Sequence, residues 1–117
     1  MTAFRLISFG IHGALEFVIG LALIVVPFAL GLGSAAGVIG VVTGALLVGL
    51  ALGAATAEPG RGSVSGHHAY DWSAVLGISA GAAALAIAGD VAAGIVFAAA
   101  AVAMTALALT TRYSLHN

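Results

Sequence analysis

The sequence predicts an all-α membrane protein, in which four transmembrane helices form two tandem helical hairpins within a single domain. The first observation is a long uncharged segment, because no Asp, Glu, Lys or Arg lies between Glu16 and Glu58. About 20 apolar residues are enough for one helix to cross a bilayer, so this segment holds two crossings. The second observation is that only 6% of the residues are charged, against about 25% in soluble domains. A soluble fold of this composition would have almost no polar surface.

The first hairpin comes from this uncharged segment. A helix is predicted over Ile11–Leu30, because this stretch is apolar along the length of a membrane crossing. Residues 31–34 form the first turn, since Gly and Ser are the local breakers. A second helix is predicted over Ala35–Thr56. We interpret the apolar start of the chain as a retained helix, because Glu16 would interrupt the apolar region of a cleaved signal peptide.

The second hairpin follows a hydrated loop that is predicted over residues 58–66, where Pro, Gly and Ser accompany two charges. The third helix is predicted to begin near Tyr70 or Asp71 and to end near Ala88. The next turn is Gly89-Asp90, with Asp90 as the N-cap of a fourth helix that ends near Thr111. These segments are about 20 residues long, whereas strands that cross a membrane have about 10.

Each half opens with the same short motif: a His, three further residues, an acid and an aromatic residue. The two copies are His12-Gly13-Ala14-Leu15-Glu16-Phe17 and His67-His68-Ala69-Tyr70-Asp71-Trp72. Each copy opens an odd-numbered helix, so both hairpins start on the same side of the membrane and the repeat is parallel. Repeat 1 covers about residues 4–57, and repeat 2 covers about residues 67–112.

These motifs make the chain resemble small bacterial membrane proteins of the SPW-repeat class. In that class each half opens with His-x-x-x-acid-aromatic and later carries Ser-Pro-Trp before an apolar-Gly turn. The first half has Val26-Pro27-Phe28 and Gly31 in the later positions, so Val and Phe replace Ser and Trp. In the second half Ala replaces Pro, and only the opening motif remains. The resemblance implies a membrane protein and brings no established activity.

The positions of the basic residues predict the orientation. The N-terminus, the central loop and the C-terminus share one side, and this side carries every basic residue: Arg5, Arg61 and Arg112. The positive-inside rule therefore places both termini in the cytoplasm and the protein in the inner membrane. Tyr70, Trp72 and Tyr113 lie at the same boundary, as in an aromatic belt. The net charge of −1 argues against a nucleic-acid partner, which requires a basic surface.

No catalytic residue set is recognisable in the sequence. The absence of Cys excludes disulfides, thiolate ligands and Cys nucleophiles, and no phosphate loop or dinucleotide fingerprint is present. The leading prediction is therefore a non-enzymatic component of the lipid bilayer without a cofactor, either an accessory subunit of a larger complex or a homo-oligomer. Gly33, Gly37, Gly40 and Gly44 form a stripe of small residues that allows close packing, either within the chain or against another protomer.

One polar constellation stands out in these apolar helices: His12, Glu16, His67, His68 and Asp71. A His and an acid four residues apart share a helix face, so each pair can form a hydrogen bond and clamp its half of the chain. A second interpretation is a metal site or axial haem ligation, because imidazole and carboxylate groups are metal ligands. A third is a small proton-coupled transporter with Glu16 as the carrier. The sequence leaves these three interpretations open.

Overall fold

The computed structural model describes residues 6–55 and 63–113, which form four α-helices. These are α1 (Phe9–Ala29), α2 (Ser34–Ala55), α3 (Ser63–Ile87) and α4 (Val91–Thr110). All four are long and apolar enough to cross a membrane, α3 from Gly66 onward. α1 packs mainly against α2, and α3 packs mainly against α4. The predicted all-α fold of two hairpins is confirmed, and the chain is a multi-pass membrane protein.

α3 begins earlier than predicted. The predicted start near Tyr70 or Asp71 is wrong, because the helix begins at Ser63. Gly and Ser are weak helix formers, but packing against neighbouring helices overrides such local preferences. Residues 63–66 of the predicted hydrated loop are therefore helical, whereas residues 58–62, with Glu58 and Arg61, lie outside the described residues. As a result, His67 lies within α3 and not in a loop before it.

Both hairpin turns end a helix with a glycine in the left-handed backbone region. Gly31 follows α1 with φ 66°, and Gly89 follows α3 with φ 99°, values that residues with a side chain rarely adopt. After α1, the Leu32 amide donates to the Pro27 carbonyl at 2.8 Å and the Gly31 amide donates to the Phe28 carbonyl at 3.2 Å. This pair of hydrogen bonds is the Schellman motif, which satisfies the last carbonyls of a helix.

Asp90 is the N-cap of α4, as predicted. Its carboxylate accepts a hydrogen bond from the Ala93 amide at 3.0 Å, which satisfies one of the unpaired amides at the start of a helix. The Asp90 amide also donates to the Leu85 carbonyl at 2.9 Å, so Asp90 satisfies a carbonyl at the end of α3 as well as an amide at the start of α4. This turn lies at the end of the bundle opposite to the starts of α1 and α3.

α1 and α2 approach each other closely at glycines of the predicted stripe. A Cβ atom at Gly44 would lie only 2.5 Å from the Gly20 carbonyl oxygen, and one at Gly40 would collide with the Leu23 carbonyl. Small residues allow this approach, in which dispersion contacts replace the hydrophobic drive that lipid does not supply. At these two positions the stripe therefore serves packing within the first hairpin.

The two hairpins are joined beside the starts of α1 and α3. The Ile7 amide donates to the Thr110 carbonyl at 2.9 Å, and the Arg112 amide donates to the Ile7 carbonyl at 2.8 Å. These bonds form a parallel bridge between Ile7 and Thr111, and Ser8 then caps α1 by accepting from the Ile11 amide at 3.2 Å. The end of α4 is thus held against the start of α1, which determines what surrounds the polar residues there.

Candidate functional site

Four of the five predicted polar residues come together where α1 and α3 begin. His12 and Glu16 project from α1, and His67 and Asp71 project from α3. His12, Glu16 and Asp71 are completely buried, and His67 is 6% exposed. Ionisable groups inside membrane helices are costly, which makes these residues candidates for a functional site. We refer to these four residues as the His–carboxylate cluster.

The shortest contacts in the cluster run between the hairpins. His12 Nε2 lies 2.8 Å from Asp71 Oδ2, and His67 Nε2 lies 2.8 Å from Glu16 Oε1. The predicted contacts within each helix are longer, 3.7 Å from His12 to Glu16 and 3.3 Å from His67 to Asp71. Each histidine therefore has its nearest acid in the other half of the repeat, so the cluster exists only when both halves are assembled.

Three buried polar atoms of the cluster have no hydrogen-bond partner among the described residues. They are His12 Nε2, Glu16 Oε2 and Asp71 Oδ1. His12 Nε2 lies 2.8 Å from Asp71 Oδ2, within ion-pair distance. A buried polar atom without a partner costs about 1–3 kcal/mol, and such atoms are rare in folded proteins. Three of them around one point indicate a place where a further charged or polar species would be stabilised.

The spacing of these atoms suits the ligand shell of one metal ion. One ligand atom from each residue can be chosen so that all four lie within 4.8 Å of one another. Ligands about 2.1 Å from a tetrahedral ion stand about 3.4 Å apart. The four contacts between histidines and acids run from 2.8 to 3.7 Å, but they use both oxygens of each acid, so binding one ion would require small shifts of these side chains. Two imidazoles with two carboxylates form a donor set that first-row transition metals accept.

Thr111 determines which nitrogen of His12 faces the cluster. The Thr111 hydroxyl lies 2.7 Å from His12 Nδ1 and donates its hydrogen to the Leu107 carbonyl at 2.6 Å. A hydroxyl has a single hydrogen to donate, so it accepts the hydrogen bond from His12 Nδ1–H. Nε2 is therefore the nitrogen that faces the cluster, and it is the one left to bind a metal ion once it carries no proton.

Tyr113 holds the carboxylate of Asp71. Its hydroxyl donates to Asp71 Oδ2 at 2.6 Å, and its ring lies beside that of His12 with centroids 5.3 Å apart. Phe9 covers the cluster from a second direction, because its ring stacks on His12 at 5.8 Å and meets the edge of His67 at 5.0 Å. Aromatic rings thus separate the cluster from its surroundings.

His68, the fifth predicted candidate, lies outside the cluster. Its Nε2 accepts a hydrogen bond from the Trp72 indole at 2.9 Å, so this nitrogen is occupied. Its ring stacks on Tyr113 with a centroid separation of 4.1 Å. His68 therefore supports the aromatic cover of the cluster and contributes no ligand atom to it.

Sequence reasoning missed the roles of Phe9, Thr111 and Tyr113, and assigned Tyr113 to an interfacial belt. The hydrogen bond from His12 to Thr111 spans 99 positions of the chain, and that from Tyr113 to Asp71 spans 42. No local motif links residues so far apart. The repeat of two His–acid pairs identifies candidate side chains, but the sequence leaves open whether the two pairs meet in space.

The fold and the site define a class: a multi-pass membrane protein of four helices with a buried His–carboxylate cluster between its hairpins. Comparison of this chain with family models, with curated proteins and with solved structures found no match.

Proposed function

We propose that this protein binds one divalent transition-metal ion through His12, Glu16, His67 and Asp71. The observation that carries the proposal is the convergence of three buried atoms without hydrogen-bond partners among the described residues. Two carboxylates with two neutral imidazoles balance the charge of a divalent ion, so the loaded site carries no net charge. Neutrality matters here, because an uncompensated charge costs several kcal/mol in a low-dielectric interior.

The same geometry favours a bare ion over a haem. A haem held by two axial histidines needs the plane between them for the porphyrin ring. In this cluster Glu16 Oε1 lies 2.8 Å from His67 Nε2, and Asp71 Oδ2 lies 2.8 Å from His12 Nε2. The carboxylates therefore occupy the space that a porphyrin would require, and they are themselves hard oxygen ligands for a metal ion.

The metal proposal also accounts for more of the cluster than a proton carrier does. A proton-carrier role for Glu16 would involve its hydrogen bond with His67. It would not explain why His12 contacts both Thr111 and Asp71. Ion binding uses all four side chains. We further propose that both termini are cytoplasmic, which would place the cluster at the cytoplasmic end of the bundle; Arg112 lies at that end, and Arg5 and Arg61 lie outside the described residues.

Three expectations from the sequence stay predictions. They are the accessory or self-associating role in a larger assembly, the absence of enzymatic activity, and the resemblance to the SPW-repeat class. An ion-binding membrane component is compatible with each of them. The division of the chain into repeat 1, the loop and repeat 2 likewise stays a prediction.

The proposal is tested by metal titration of the full chain in mild detergent after removal of bound metal with a chelator. We expect one Zn²⁺ per chain by equilibrium dialysis and elemental analysis. His12→Ala and His67→Gln should abolish stoichiometric binding, whereas Asp90→Asn, which alters an acid at the opposite end, should leave it unchanged. Circular dichroism and gel filtration identify variants that fail to fold. Absence of binding to the wild-type chain, or unaltered binding in both folded histidine variants, would refute the proposal.

A further inference from the structure

We propose that Thr111 and Tyr113 are positioning residues of the metal site, which aim His12 and Asp71 at the ion. This inference rests on the proposed function. Neither residue offers a ligand to the group His12, Glu16, His67 and Asp71. Each acts through a ligand, and both lie just after α4, a helix that contributes no residue to the cluster. The second hairpin therefore contributes both the ligands on α3 and the positioning residues that follow α4.

Thr111 acts on His12 through the proton on the ring. An imidazole binds a metal with a nitrogen that carries no hydrogen, and a hydrogen bond from the other nitrogen fixes which one that is. Thr111 accepts from His12 Nδ1–H at 2.7 Å, and its own hydrogen is directed to the Leu107 carbonyl. Thr111 is completely buried, so this chain of two hydrogen bonds is shielded from competing water. It leaves Nε2 as the nitrogen that faces Asp71 and the cluster, where loss of its proton would let it bind a metal ion.

Tyr113 acts on Asp71 by fixing the rotation of its carboxylate. The hydroxyl of Tyr113 donates to Oδ2 at 2.6 Å, while Oδ1 lies 3.3 Å from His67 Nε2 and has no hydrogen-bond partner among residues 6–55 and 63–113. The ring of Tyr113 is itself held by stacking on His68 at 4.1 Å. A carboxylate held in this way keeps both oxygens at the edge of the proposed ion site.

The backbone places these two side chains by the bridge between Ile7 and Thr111. The Arg112 amide donates to the Ile7 carbonyl at 2.8 Å, and Arg112 lies between the two positioning residues in the chain. The bridge therefore determines the position of both hydroxyls relative to the start of α1, which carries His12. The backbone bridge between Ile7 and Thr111 therefore positions the segment Thr111–Tyr113, and α4 alone does not.

The test is a titration of metal-free protein with Co²⁺, whose visible absorption reports the geometry of its ligands. We expect Thr111→Val and Tyr113→Phe to bind Co²⁺ about 10–100-fold more weakly, the usual effect of losing an outer-shell partner, and to shift its absorption bands. Thr111→Ser keeps the hydroxyl and should restore both affinity and spectrum. The matched controls are Thr110→Val, which removes a hydroxyl bonded to the Ala106 carbonyl, and Tyr70→Phe, at a ring that is 64% exposed.

The outcomes separate this inference from the proposed function. If the wild-type chain binds Co²⁺ but Thr111→Val and Tyr113→Phe bind it equally well with unchanged spectra, the positioning role is refuted and the metal site stands. If the wild-type chain binds neither Co²⁺ nor Zn²⁺, the proposed function itself fails. Should Thr111→Val not fold, the comparison of Tyr113→Phe with Tyr70→Phe decides the question, because Phe keeps the ring and its stacking.

Discussion

Replacing Gly44 with Ala should force apart the two helices of the first hairpin. The added Cβ would lie 2.5 Å from the Gly20 carbonyl oxygen and 2.6 Å from Ile24 Cγ1, whereas ordinary van der Waals contact begins at 3.4 Å. The helices must therefore separate by roughly 1 Å, and a close-packed interior does not absorb such a shift without loss. Because the nearest atom belongs to the backbone, a change of rotamer cannot relieve the contact.

The magnitude follows from comparison with Gly49→Ala in the same helix. A Cβ at Gly49 meets no atom within 4 Å. Both substitutions gain up to about 1 kcal/mol of helix propensity, since Gly is the poorer helix former. Only Gly44→Ala bears the cost of overpacking, typically about 1–3 kcal/mol. The free energy of unfolding of Gly44→Ala should therefore be about 1–3 kcal/mol lower than that of Gly49→Ala.

Equilibrium unfolding in mixed micelles of increasing denaturing-detergent content measures this difference, with circular dichroism as the probe of helix content. Both variants carry the same chemical change in α2, so effects of Ala on the unfolded chain cancel. Free energies of unfolding for the two variants within about 0.5 kcal/mol of each other would contradict the close approach of α1 and α2 at Gly44.

Two further predictions concern the ends of the bundle. Asp90→Ala should lower the free energy of unfolding by about 1 kcal/mol, because it removes the cap of α4. Asp90→Asn should lower it much less, since Asn is an equally good N-cap. An equal decrease in both variants would contradict a capping role. In metal-free protein, a double-mutant cycle of His12→Ala and Asp71→Ala should show a coupling energy of about 0.5–3 kcal/mol, because the two side chains are in contact across the hairpins; additive effects would argue against that contact.

The four helices could be predicted because the length of an apolar segment is a local property. Bilayer thickness sets the length, and breakers such as Gly31 and Gly89 mark the ends. The start of α3 could not be predicted in this way, because Gly66 and its neighbouring serines favour a loop locally. Their helical state comes with the burial of His67 against α1, which is a tertiary effect.

The composition of the site could be predicted, but its connections could not. The repeated His–acid pairs named four side chains that meet in the cluster, together with His68, which does not join it. That His12 contacts Asp71 more closely than Glu16 depends on how α1 and α3 lie side by side. Helices that are apolar all round carry no periodic pattern to specify this arrangement. For the same reason the contributions of Thr111 and Tyr113 emerge only from the assembled bundle.

The pairing of each histidine with the acid of the other hairpin has a consequence for biosynthesis. His67 lies 51 positions after its partner Glu16, and ribosomes add about 5–20 residues per second. During synthesis about 3 to 10 s therefore pass between the addition of Glu16 and the addition of its partner His67. Over that interval His12, which is 3.7 Å from Glu16 in the finished fold, is the partner that the same helix can offer. Because His12 and Glu16 are four positions apart in the same helix, His12 can interact with Glu16 until the second hairpin is inserted.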